Sequence, residues 1–262
     1  GEDNSIRLIA NKPAWVRVFV RSSLLTSIPG ATGSLVVQQR RFGVSYDTVY
    51  TPLAEAPGSV TAEINPNYAD ERGNIGSSLN FIIPAEYMMG HMRLKAKIYA
   101  GSLNDELDIY LDVTLRQTLR LVGIMIGYDG PQDNTVNSPN IKLAPPKLRD
   151  LIVTTPFTLR VMPVETYGTY RIAGTITWSK PLSESITTAG GCPQSHYDLN
   201  KEVLKFITAD GNQPDVVYYG LYANGIPGWG GGCSTVAASG PNGGQGTMAH
   251  ELGHYLGLPH AP

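Results

Sequence analysis

The hydrophobic period of this chain changes once, between Arg116 and Leu119, and the change divides it. Before that point, short runs of Val, Ile, Leu, Tyr and Phe alternate with polar residues, and Gly, Pro, Asn and Asp clusters separate them. A period of two puts one face of each run on a core and the other in water. After it, 119–128 reads Leu-Arg-Leu-Val-Gly-Ile-Met-Ile-Gly-Tyr, nearly all apolar. Such a run suits a strand buried on both faces, in a sheet covered by helices. At 262 residues the chain fits two domains of about 100–150 residues, and we expect them at 1–117 and 118–262.

The first part predicts strands at 6–10, 15–21, 34–40, 48–50, 59–64, 78–83, 92–99 and 107–115. Strands at this spacing suggest a two-sheet sandwich of immunoglobulin-like (Ig-like) architecture. No constellation there suggests chemistry, and His91, beside Gly90 in an expected turn, reads as a surface histidine. In the second part, 129–146 reads as a loop and 146–153 as a short helix. Strands are expected at 158–164, 170–178 and 216–222, with a short edge strand at 236–239. Apolar residues at Leu199, Val203, Leu204, Phe206 and Ile207 predict an amphipathic helix over 197–208, capped by Ser195 or Asp198. A last helix is expected over 247–256 with Thr247 at its N-cap. The fold class expected is α+β.

The net charge of −2, with no long basic block, argues against nucleic acid as a partner. No apolar run approaches the 18 or so residues of a membrane span. The start, Gly1-Glu2-Asp3-Asn4-Ser5, is polar and acidic, so any secretory signal is expected to have been removed already. The two cysteines, Cys192 and Cys233, sit in Gly-rich stretches and are not spaced as a metal knuckle. The expectation is a disulfide closing a loop of roughly 40 residues, contributing about 3–4 kcal/mol, in a secreted protein. Two free thiols in a reducing compartment are the alternative.

The strongest chemical signal lies at 250–260: His250-Glu251-Leu252-Gly253-His254-Tyr255-Leu256-Gly257-Leu258-Pro259-His260. On a helix, residues i and i+4 share a face, so His250 and His254 are placed to grip one ion. Glu251, beside the first, points elsewhere and suits a general base. Gly257 takes left-handed backbone angles at little cost, so it can end the helix and bring His260 back as a third nitrogen ligand. Three protein ligands leave a fourth position for water, the arrangement of a catalytic zinc site. Of five histidines in the chain, three fall in this register. Tyr222, Trp229 and Tyr255 are aromatic candidates for a cleft lining, though aromatics near glycine loops more often pack.

The spacing His250-Glu251-x-x-His254-x-x-Gly257-x-x-His260 resembles the signature of the metzincin clan of zinc endopeptidases. The resemblance implies Zn2+ held by His250, His254 and His260, with Glu251 as general base and acid. It implies a twisted mixed sheet with a backing helix and an active-site helix, and an edge strand, offered here by 236–239, that pairs with the substrate backbone. Ala261 follows the third histidine, unlike the residues of the common subfamilies. The order of a β-sandwich followed by this motif resembles secreted bacterial proteases, including mucin-cleaving ones. A polypeptide or glycoprotein substrate is implied. Metzincins also carry a methionine turn downstream, whereas all six methionines here lie upstream of His260. The chain is therefore expected to hold only the N-terminal subdomain of the catalytic domain, with the C-terminal portion missing and activity impaired. A second reading makes the β-sandwich the functional part, as a substrate-binding, glycan-binding or adhesion module.

Overall fold

A computed structural model describes residues 8–135, 137–182, 192–228 and 230–259. The fold is α+β, mostly strands in several sheets with few helices. It divides into two compact units, Gly1–Gln117 with Val164–Thr166, and Thr118–Pro163 with Tyr167–Pro262.

The first unit holds strands β1 (Leu8–Ile9), β2 (Ala14–Val18), β3 (Ile28–Arg40), β4 (Tyr46–Tyr50), β5 (Ala54–Glu55), β6 (Val60–Ala62), β7 (Leu79–Ile83), β8 (Gly90–Ala100) and β9 (Leu103–Thr114), with helix α1 (Tyr68–Gly73). One sheet runs β1-β9-β8-β3-β4 with β6 on β3; the other runs β2-β7-β5. Leu35 and Val37 of β3, Met92 and Leu94 of β8, and Leu79, Phe81 and Ile83 of β7 share one core, so both sheets enclose it. The alternation expected from sequence is the cause: on β8 these residues point inward while Arg93, Lys95 and Lys97 face out and pair with Asp108 and Glu106 of β9. Helix α1 has no apolar period and was not expected. It is set by Asn67, whose side chain accepts from the Ala69 and Asp70 amides. The Arg17 guanidinium holds its C-terminal turn by donating to the Arg72 and Asn74 carbonyls. His91 lies on the surface beside Asp112.

The second unit holds β10 (Leu119–Pro131), β11 (Asn140–Leu143), α2 (Leu148–Thr154), α3 (Pro156–Val161), β12 (Gly168–Trp178), α4 (Gln194–Ala209), β13 (Val217–Tyr222), β14 (Cys233–Ser234), β15 (Ala238–Pro241) and α5 (Gln245–Tyr255). The sheet runs β11-β10-β13-β15-β14, with β12 beside β10. β12, β10, β13 and β15 are mutually parallel, while β14 is antiparallel to β15. Strand β10 is buried on both faces, as its composition predicts. Val122, Ile124 and Ile126 pack with Leu199, Val203 and Ile207 of α4. On the other face Gly123 lies so close to Leu151 of α2 that a Cβ would stand 2.9 Å from its methyl.

Three sequence expectations change. The segment 158–164, rich in β-branched residues, is not a strand: Pro156 starts a helix, its fixed φ suited to the first turn. The edge strand is not 236–239. Ala238–Pro241 lies inside the sheet, and Cys233–Ser234 forms the edge. Helix α5 begins two residues earlier than Thr247, with Gly244 as its N-cap, and α4 starts after Pro193 without a side-chain cap. The Cys192–Cys233 disulfide forms, with Cα atoms 5.8 Å apart and both residues buried. It ties the edge strand to the segment entering α4.

Candidate metal and acid–base site

Helix α5 lies on the face of the sheet away from α4. Met248 and Leu252 are its buried anchors, and a Cβ on Gly240 of β15 would stand 3.2 Å from the Thr247 methyl. With that face fixed, the i, i+4 spacing turns His250 and His254 together toward a pocket of about 310 Å³, walled by Val161, Met162 and Leu258. Their Nε2 atoms are 3.1 Å apart.

The turn after the helix decides which nitrogen of His254 faces His250. Gly257 has φ +87°, its amide bonds the His254 carbonyl at 2.9 Å, and the Leu258 amide bonds the Gly253 carbonyl at 2.9 Å. This pair of bonds is a Schellman ending, for which glycine is the favoured residue. The turn sets the Leu258 carbonyl 2.8 Å from His254 Nδ1. A carbonyl only accepts, so Nδ1 carries a proton and Nε2 is the nitrogen turned toward His250. A carbonyl on the far nitrogen is the usual outer support of a metal-binding histidine. Two bonds of about 2.0–2.1 Å meeting near the tetrahedral angle place their nitrogens roughly 3.3 Å apart, close to the separation found here. The pair could serve as two ligands of one ion, and the same separation is that of a hydrogen bond between the rings. His260 lies outside the described residues, and among the described residues no third His, Cys, Asp or Glu joins the pair.

Glu251 projects from the same turn of α5 but is buried, 7% exposed. Its wall is Gly232, in the chain entering β14. A Cβ there would stand 2.3 Å from Glu251 Cγ and 2.6 Å from the Thr247 methyl, so only glycine admits the side chain. Burial raises the Glu251 carboxyl to about 7, against the opposing pull of His254. A carboxyl poised near neutrality both takes and returns a proton efficiently. Tyr222 is a packing residue: it is buried and its hydroxyl donates to the Gly231 carbonyl. Tyr255 is half-buried, and Trp229 lies outside the described residues.

Sequence reasoning missed a buried polar chain on the opposite face of the sheet. Asn200 Nδ2 donates to the Cys233 carbonyl at 3.1 Å, and Ser239 Oγ donates to Asn200 Oδ1 at 2.6 Å. His196 Nε2 lies 2.9 Å from Ser239 Oγ. Because the hydroxyl proton goes to Asn200, His196 must be the donor to Ser239. All three side chains are fully buried. Ser, His and Asn form nucleophilic sets elsewhere, but here the imidazole donates to the hydroxyl instead of taking its proton, and no substrate reaches it. The chain is structural. One signal for it was present: His196 and Asn200 fall on the apolar stripe of α4 with Leu199 and Val203.

No protein-family model matches the chain, and a search of curated proteins gives no match.

Proposed function

We propose that the second unit belongs to a metzincin-type zinc endopeptidase domain acting on polypeptides or glycoproteins. The reading rests above all on one observation: two histidine nitrogens lie together beside a buried glutamate. A helix-ending glycine then orients one of the rings. A mixed sheet with one antiparallel edge strand next to Glu251 supports it further. His250 and His254 would hold the ion, with His260 as the third ligand by resemblance. Bound zinc supplies Lewis-acid polarisation and acidifies water. Glu251 takes a proton from the attacking water and returns it to the leaving amine. The first unit is read as an Ig-like sandwich accompanying the protease. An extracellular setting is part of the proposal, supported by the buried disulfide. No helix among the described residues is long and apolar enough to cross a membrane.

The test is Glu251→Ala, with zinc content and peptide hydrolysis measured side by side. Zinc is retained and hydrolysis falls by about 100-fold or more. Cleavage at the wild-type rate removes Glu251 from the chemistry.

A further inference from the structure

Strand β14 is too short to hold itself. It spans Cys233 and Ser234, and among the described residues its only strand neighbour is β15, with Cys233 opposite Ser239 and Ser234 opposite Ala238. Yet the residue before it, Gly232, must stay within van der Waals reach of Glu251. Beyond the disulfide, one side chain reaches both strands from behind. Asn200 on α4 donates to the Cys233 carbonyl at 3.1 Å and to Thr235 Oγ1 at 3.3 Å, and accepts from Ser239 Oγ at 2.6 Å. Its contacts thus lie on β14, on β15 and on the link between them. Asn200 is fully buried, and so are Ser239 and His196, which complete the chain behind it. A buried, fully used amide fixes geometry more firmly than a surface one, because each bond it loses leaves an unsatisfied group away from water.

We infer that Asn200 is a positioning residue: from α4 it braces β14, and through Gly232 the wall of Glu251, in place. The inference concerning catalysis rests on the hydrolytic reading above; the hold on the strand does not.

The experiment compares wild type with Asn200→Ala by amide hydrogen exchange on the metal-free chain and by cleavage of fluorescein-labelled casein on the zinc-loaded chain. In the variant, the amides of Cys233 to Thr235 exchange about tenfold faster while those of β10 and β13 keep their protection. Zinc uptake is unchanged, and casein cleavage falls about tenfold or more at a temperature where the variant is folded. Ser239→Ala removes the hydroxyl between His196 and Asn200 with no demand on the backbone. It gives the same pattern at smaller size and carries the test if Asn200→Ala does not fold. Wild-type protection at Cys233 to Thr235 overturns the hold on the strand. Faster exchange with casein cleavage within twofold of wild type overturns the positioning role. A wild-type chain that leaves casein intact removes the catalytic half of the inference, and the exchange arm then decides the hold on the strand alone.

Discussion

Replacing Gly232 by alanine isolates the wall of Glu251. The backbone there is outside the left-handed region, so alanine meets no conformational penalty, only contact. The new Cβ would lie 2.3 Å from Glu251 Cγ, 2.6 Å from the Thr247 methyl and 2.7 Å from Glu251 Oε1. Thr247 is β-branched and stiff at χ1 in a helix, so the longer Glu251 side chain takes most of the shift. Inserting a methyl into such packing costs about 1–3 kcal/mol. For a unit of this size that lowers the unfolding midpoint by roughly 2–4 °C per kcal/mol. Losing a positioned base costs about 100-fold or more in hydrolysis, so activity drops far more than stability. Gly230→Ala is the matched control two residues away, where a Cβ meets nothing within 4 Å. There the lost flexibility of the unfolded chain leaves stability unchanged or raises it by up to about 1 kcal/mol. Thermal unfolding of both variants, with peptide hydrolysis on the same samples, gives the comparison. If Gly232→Ala melts and cleaves like Gly230→Ala, Gly232 does not wall the glutamate and the site geometry argued above is wrong.

Burial lowers the His196 imidazole to about 4, whereas in the unfolded chain it titrates near 6.5. The unfolded state therefore binds more protons between those values, and stability falls as pH drops from about 6.5 to about 4, by up to about 3 kcal/mol. Urea unfolding at pH 7 and 4.5 measures the fall, and it should shrink in His196→Gln; an identical fall in that variant assigns it elsewhere. Reducing Cys192–Cys233, which spans 41 residues, should cost about 3–4 kcal/mol; an unfolding midpoint unmoved by dithiothreitol contradicts this. Ligand histidines must be neutral, so bound zinc should dissociate as pH falls. Zinc content that holds steady down to pH 4 argues against an all-histidine site.

What the sequence made legible was local. The apolar run of β10 announced a strand covered on both faces, and the spacing from His250 to Gly257 announced a helix with a sharp end. The α4 stripe was equally plain from its period. The failures share a physical cause: pairing between distant segments, or a single residue overriding composition. The residues Thr158-Leu159-Arg160-Val161 favour a strand by type, yet Pro156 nucleates a helix that packs against α5. Which short segment forms the edge depends on β14 folding back antiparallel onto β15, and no local pattern encodes that. Ser239 lies 43 residues from His196, so their bond has no sequence signature beyond two polar residues on an apolar helix face. Glu251 was named for its place in a motif. Its burial raises its proton affinity, and the close approach of Gly232, a residue the motif does not contain, is part of that enclosure.

The Schellman turn at Gly257 makes stopping the helix and readying a ligand one event. The backbone bonds that end α5 also deliver the Leu258 carbonyl to His254. The ring is thereby aimed, and its proton parked on the far nitrogen, by folding alone. An arriving cation would find one ligand that has little rotational freedom left to lose, so the entropy of ordering that ring is charged to the fold and not to the ion. Lengthening the helix by a single residue would undo both at once.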